Sequence, residues 1–363
     1  SYQLDLGRGM ASISPPPAEP VNSIRHNAGA RDARHVGRAQ PGSRTTGSAL
    51  RAYVAILRPD HWFKNVFMLI GVVLACFYRP GAFGTTTLAH AAVGLVATCL
   101  VASSNYVLNE ILDAPTDLHH AEKRHRPIPS GLIWLPAAYA EWVALGAAGI
   151  FLATRLNRPF AFSALALLVM GFVYNVRPVR AKDVAFVDVL TESVNNPIRL
   201  TLGWFAVTAS DVPPVCLLGA YWMIGAFFMA SKRFAEYRAI GNPAAAAAYR
   251  KSFAFYDEDS LLCSMFFYAT TFALLLGIFI IRYHFELVLL FPLIAGFLCY
   301  YLRIALQKDS PCQSPERLHR EKLLMLYLTV CVVAFAALMF VHIQWLYSVF
   351  NVEAAPVSPL WRF

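Results

Sequence analysis

Charge is scarce in this chain. Only 15% of its 363 residues are Asp, Glu, Lys or Arg, against roughly 25% in an ordinary soluble domain. The length would allow two soluble cores. The apolar residues, 57% of the total, come instead in long runs that one bundle in lipid explains better. Metal-site spacings are lacking as well: there is no CxxC pair, and the ten histidines show no HExxH. Cys76, Cys99, Cys216, Cys263, Cys299 and Cys331 fall in apolar runs and read as small fillers. Cys312 lies outside such a run, and the His119-His120 doublet reads as loop, not as a zinc site. No RNA- or DNA-binding signature accompanies the net charge of +9. The basic excess therefore reports topology and lipid head groups.

Residues 1–50 have no apolar run and are rich in Pro, Ser, Gly, Ala and Arg, the composition of a disordered tail. Met10 is read as the natural start, with residues 1–9 as appended sequence, and no cleavable signal peptide is apparent. From residue 60 on, apolar segments of spanning length recur, a span needing about 20 residues. Nine candidates lie at 62–79, 86–112, 132–154, 158–174, 184–208, 213–231, 259–281, 284–304 and 323–347. The expected fold is an all-α integral membrane bundle of about nine helices, with residues 51–350 as the catalytic domain and 351–363 as a short tail. Placing the N-terminus in the cytosol puts 25 of the 31 Lys and Arg residues on the cytosolic side and 5 on the other, with Arg199 inside a span. That bias predicts the orientation and an odd number of spans.

The second span carries polar residues that lipid does not tolerate. Asn105, Asn109, Asp113 and Asp117 are spaced by four, so neighbouring members share a helix face. Pro115 is expected to bend or end the helix there. Carboxylates at a helix C-terminus face the negative end of the macrodipole. A divalent cation removes that conflict, and Mg²⁺ takes one or two carboxylates and fills its other positions with water and phosphate oxygens. The alternative is an ordinary solvated acidic loop. Directly after come Lys123-Arg124-His125-Arg126-Pro127-Ile128. Alone this is a positive-inside cluster; next to a metal it can hold phosphates.

The fifth span opens with Tyr174, Arg180 and Lys182 and then carries Asp188, Glu192, Asn195, Asn196 and Arg199. Positions 188, 192, 195 and 199 form one helical stripe, which must face the bundle interior. The stripe is either an Asp188/Glu192–Arg199 ion-pair network that holds helices together, or part of a site, or both. The sixth span exits as Lys232-Arg233-Phe234-Ala235-Glu236, with Lys232 and Glu236 as i, i+4 partners. The loop beyond has a helical Ala244–Ala248 run, then Arg250 and Lys251. At the first span, Arg58 and Lys64 read as snorkelling residues beside an interfacial Trp62, or as phosphate contacts.

Over about residues 55–347 the chain resembles the UbiA superfamily of intramembrane prenyltransferases. Asn109-Glu110-x-x-Asp113-x-x-x-Asp117 resembles its first aspartate-rich motif, with Glu110 where Asp is usual, and Tyr174 with Arg180 and Lys182 resembles the element joining its fourth and fifth helices. The family's second DxxxD is absent: Lys232-Arg233-Phe234-Ala235-Glu236 stands in its place. That element, with Leu57-Arg58-Pro59-x-x-Trp62-x-Lys64-Asn65, Lys123-Arg124-x-Arg126-Pro127-Ile128, and Asp188-Val189-Leu190 eleven residues before Arg199, resembles the decaprenyl-phosphate phosphoribosyltransferase branch. Glu192, Asn195 and Asn196 depart from the small or apolar residues expected there.

The resemblance implies a central cavity open to lipid, with Mg²⁺ at its cytosolic end, in a bacterial inner membrane. It implies transfer of 5-phosphoribose from phosphoribosyl diphosphate to a polyprenyl phosphate, with release of diphosphate. Asn109, Asp113 and Asp117 would hold Mg²⁺, with Glu110 as a further or outer ligand. Lys123, Arg124 and Arg126 would hold donor phosphates, and Arg180, Lys182, Lys232, Arg233, Arg250 and Lys251 would complete the pocket. Asp188 and Glu192 would orient ribose hydroxyls or a second metal; Arg58, Lys64, Tyr174, Arg199 and Glu236 complete the expected substrate-binding set. A conventional UbiA enzyme moving a prenyl group from prenyl diphosphate to an aromatic or other small acceptor is the alternative. A transporter or non-catalytic membrane protein is a third reading, disfavoured because the charged motifs cluster on one side. No nucleic-acid partner is expected, and a homo-oligomer is left open.

Overall fold

The computed structural model describes residues 46–118, 123–353 and 360, with side chains omitted at 46–49 and 315–317. Residues 1–45 of the expected 1–50 tail, the His119-His120 doublet and most of the expected 351–363 tail lie outside the described residues, while 46–50 form the start of a helix. Among the described residues the secondary structure is helical and no strand forms. The first half comprises α1 (Thr46–Ile56), a 3₁₀ stretch (Pro59–Phe67), α2 (Met68–Tyr78), α3 (Thr85–Asp117), α4 (Leu135–Leu156) and α5 (Arg158–Asn175). Then come α6 (Val187–Ser193), α7 (Asn195–Val207), α8 (Val215–Ile240), α9 (Pro243–Tyr249), α10 (Glu258–Tyr283), α11 (Phe291–Ala305), α12 (Lys322–Met339) and α13 (Gln344–Val349).

Eight helical runs among the described residues are long and apolar enough to cross a membrane. The protein is a multi-pass integral membrane protein. Its outward faces carry exposed Val73, Phe162, Phe266 and Leu326, as lipid-facing surfaces do. Trp204, Phe160, Phe234 and Phe279 are packed inside.

The expected fifth span, 184–208, is not one helix. It divides into α6 and α7 at Val194. Pro197 has no N–H to give to the carbonyl of Ser193, one turn back. The Asn195 side chain compensates near the break by donating to the Glu192 carbonyl at 3.0 Å. Pro115, by contrast, does not end α3 where it stands. The helix runs to Asp117, and the Leu118 N–H still reaches the Ala114 carbonyl at 3.2 Å.

The crossing of α2 on α7 fixes where the polar stripe of α6–α7 faces. It is made by two glycines. A methyl on Gly203 would overlap the Met68 carbonyl oxygen, and one on Gly71 would overlap the Leu200 carbonyl oxygen. Such close backbone approach is how helices associate in lipid, where no hydrophobic force drives them together. Gly203→Ala should therefore lower the melting temperature of the purified protein, at an overpacking cost of about 1–3 kcal/mol. Gly277→Ala, where a Cβ meets nothing within 4 Å, should leave melting unchanged. Equal melting of the two variants would show that the crossing is not tight.

Candidate active site

The last turns of α3 bring Asn109 and Asp113 to one cluster of donors. Lys182 Nζ reaches Asp113 Oδ1 at 2.6 Å, Asn109 Oδ1 at 3.1 Å and Asn175 Oδ1 at 2.8 Å. Arg180 adds a second cation to Asp113 at 2.9 Å and ties to Asp183 at 3.0 Å. One turn further, Asp117 pairs with Arg126 at 2.7 Å. Burial pushes the Lys182 ammonium below the usual lysine range, against the pull of Asp113. The same desolvation lowers Lys123, against the pull of Asp117. Lys123 Nζ lies 5.4 Å from the Tyr249 ring centroid, which joins the loop after α3 to α9.

Glu110 faces elsewhere. It is 1% exposed; its Oε1 accepts the Ile128 N–H at 3.1 Å, and its Oε2 lies 3.8 Å from Arg58. Successive helical residues are about 100° apart. The residue after Asn109 therefore leaves the face shared by Asn109, Asp113 and Asp117. Glu110 pins the loop 123–131 to α3, and the expectation of a ligand or near-ligand role is not met by its contacts.

A second cluster lies where α6 meets the C-terminal end of α8. Arg233 is 1% exposed and takes three carboxylates: Asp188 at 3.1 Å, Glu192 at 2.9 Å and Glu236 at 3.2 Å. Asp188, wholly buried, also accepts from Tyr256 at 2.7 Å and Ser252 at 3.3 Å, with Arg250 at 3.8 Å. Burial and Asp188 push the Tyr256 hydroxyl up, which keeps it a donor. Glu192 accepts from Tyr174 at 3.1 Å. Its side chain remains 37% exposed. Lys232 lies 3.8 Å from Glu236, and Lys251 lies 3.6 Å from Asp183.

The expected ion pair of Asp188 and Glu192 with Arg199 is corrected by these contacts. The two carboxylates belong to Arg233, and Arg199 donates to Asn65 at 3.0 Å instead. Arg124 is exposed and bonds its neighbour His125 at 3.2 Å, apart from the carboxylates. Lys64 lies close enough to Glu192 to act on its charge. The motifs did not single out Asn175, Asp183, Ser252 or Tyr256. Each is a lone polar residue in a helix end or short 3₁₀ turn, with no spacing to mark it.

No group of three His, Cys, Asp or Glu side chains among the described residues is arranged to hold a metal. The α3 face offers two carboxylates and an amide oxygen, a hard-oxygen set that fits Mg²⁺ completed by water and phosphate oxygens.

Residues 65–320 match the UbiA prenyltransferase family. The chain belongs to that family. The UbiA fold is also that of a UbiA homologue from Archaeoglobus fulgidus bound to DMAPP and Mg²⁺. The two share a TM-score of 0.61 at 18% identity, over 80% of this chain and 100% of that one. A decaprenyl-phosphate phosphoribosyltransferase from Mycolicibacterium smegmatis is 29% identical over 210 residues, 56% of this chain and 63% of its own length. The enzyme of that name from Corynebacterium glutamicum is 31% identical over 188 residues, 50% and 54% of the two chains. The match thus spans little more than half of these curated relatives. The chain is a UbiA-family transferase.

The Glu110 contacts carry their own test. Glu110→Gln keeps an oxygen for the Ile128 N–H and should behave like the parent in limited trypsin digestion. Glu110→Ala leaves a buried N–H without its partner, a cost of about 1–3 kcal/mol, and should open the loop to cleavage after Lys123 and Arg124, Arg126 being protected by Pro127. Equal protection of both variants would remove the pinning role.

Proposed function

We propose that this UbiA-family transferase moves 5-phosphoribose from phosphoribosyl diphosphate to a polyprenyl phosphate at the cytosolic face of a bacterial inner membrane. The observation that carries the reading is the cytosolic end of α8. Arg233 is held there by three carboxylates, with Lys232 beside it. A prenyl diphosphate needs carboxylate-held metal on its diphosphate, and a second carboxylate pair serves that need. Phosphoribosyl diphosphate carries a diphosphate and a separate 5-phosphate, and fixed cations suit that distribution better. The two phosphoribosyltransferase relatives support the same reading.

Asn109, Asp113 and Asp117 would hold Mg²⁺, which when bound supplies charge stabilisation to the leaving diphosphate. Arg126, Arg180 and Lys182 already lie on these carboxylates, within reach of phosphates delivered there. Lys123, Arg250 and Lys251 would close the pocket from the loop side. Asp188 and Glu192 keep Arg233 charged and oriented, and the exposed side of Glu192 is left to meet ribose hydroxyls. A phosphate oxygen of the lipid attacks the anomeric carbon as the bond from that carbon to the diphosphate oxygen breaks. Diphosphate leaves with the electron pair. The acceptor is already ionised, so no strong general base is needed. Positioning and electrostatics provide most of the rate.

Prenyl transfer to a small acceptor is the second reading, favoured by the fold shared with the DMAPP-bound homologue. One assay separates the two. Purified protein receives Mg²⁺, polyprenyl phosphate and labelled phosphoribosyl diphosphate or labelled prenyl diphosphate. Label from the phosphosugar should enter a new lipid; label from prenyl diphosphate alone would reverse the assignment. Asp113→Asn and Asp117→Asn should each lower turnover by about 10²–10³-fold in protein that still folds, and chelation should abolish it. Full activity in either variant would remove the metal assignment.

A further inference from the structure

Arg199 lies seven residues beyond Glu192 on the α6–α7 run, in the apolar middle of the bundle. Arg199 is only partly buried in this packed region. Tyr106, Tyr221 and Cys99 surround it. Its Nε donates to Asn65 Oδ1 at 3.0 Å, and the wholly buried Asn65 donates in turn to Cys99 Sγ at 3.4 Å. Among the described residues no carboxylate forms an ion pair with Arg199. Glu192, the carboxylate that acts on its charge from further off, is engaged by Arg233 at 2.9 Å and Tyr174 at 3.1 Å.

A guanidinium offers five N–H donors, and Asn65 takes one. An ionised side chain at this depth is expensive unless something anionic meets it. A mere tether between the 3₁₀ stretch and α7 would need a neutral donor and no charge. The contrast with Arg233 is direct: Arg233 has three carboxylates and Arg199 has an amide.

We propose that Arg199, oriented by Asn65, is the subsite for the anionic head of the lipid acceptor, a phosphate monoester. This subsite is separate from the cytosolic cations that face the donor. The inference rests on the proposed transfer to a polyprenyl phosphate and adds where the acceptor's charge is held. The planar fork suits two phosphate oxygens at once. Held there, the acceptor phosphate enters beneath the donor, with its chain in the apolar part of the bundle and an oxygen directed towards the C-terminal end of α3.

The test uses the full chain in nanodiscs, without Mg²⁺, and farnesyl phosphate as the probe, with farnesol as its uncharged counterpart. The parent protein should prefer the phosphate. Arg199→Gln should lose about 10- to 100-fold in farnesyl phosphate affinity, with farnesol binding unchanged, and Arg199→Lys should lose less. Asn65→Asp sets a carboxylate against the guanidinium, which adds an ion pair to the fold, and should lose the same affinity. It therefore carries the test if Arg199→Gln does not fold. Equal binding of farnesyl phosphate and farnesol by the parent overturns the subsite. So does a folded Arg199→Gln or Asn65→Asp protein that binds farnesyl phosphate as the parent does. Phosphoribosyl diphosphate affinity, measured in parallel samples that contain Mg²⁺, should be the same in parent and variants. If the parent binds farnesyl phosphate through Arg199 but no phosphoribosyl diphosphate, the subsite stands and the donor assignment falls.

Discussion

A guanidinium that is 1% exposed inside a membrane bundle must be neutralised where it sits, and Arg233 recruits Asp188, Glu192 and Glu236 to do so. Those three carboxylates come from α6 and α8, so the pairing locks α6 to the C-terminal part of α8. Asp188 then organises the loop side: Tyr256 and Ser252 bond it, and Arg250 approaches it. Removing one partner from such a group leaves a buried charge uncompensated, a loss of roughly 3–5 kcal/mol. This end of the bundle is therefore built on a framework whose members cannot be exchanged singly.

The α3 side works by the opposite arrangement. There the fixed groups are carboxylates and the cations come to them: Lys182 and Arg180 on Asp113, Arg126 on Asp117. One cluster centres on a cation and the other on anions. In the proposed reaction, the donor's separated phosphates would be met by the less buried cations of both, Arg126, Arg180 and Lys182 on the α3 side and Lys232 and Arg250 on the α8 side, while the buried Arg233 orders the carboxylates around it. The difference between the two donor classes is thus a difference in where fixed charge is distributed, on a shared helical frame.

Much of this was legible in the sequence because lipid makes polar residues conspicuous. The spans followed from run length, and the Asn109–Asp113–Asp117 face followed from its period of four. Two misreadings had signals that were present. Pro197 marks the division of α6 from α7, since it deletes a helical hydrogen bond. Glu110 is one residue out of step with the α3 face, so its turn towards Ile128 is a matter of helical angle. The partner of Asp188 was not legible. Period alone pointed to Arg199 on the same stripe, whereas the pair is made with Arg233, 45 residues away on another helix. Periodicity reports which residues share a face and says nothing of what packs against it.

That limit also explains why Arg199 differs from the other cations. Arg180, Arg233, Arg250 and Lys251 each gain a carboxylate because several helices end there, and their loops can supply Asp and Glu at little cost. Arg199 sits where the neighbouring helices are apolar and run past one another, and the groups near it are Asn65, Cys99, Tyr106 and Tyr221. A carboxylate there would have to be borne in mid-bundle, at the same desolvation cost as the cation itself. A ligand that enters from the bilayer with its own charge imposes no such standing cost. In the proposed reaction, the acceptor's phosphate would serve both as the counter-ion for this guanidinium and as the nucleophile.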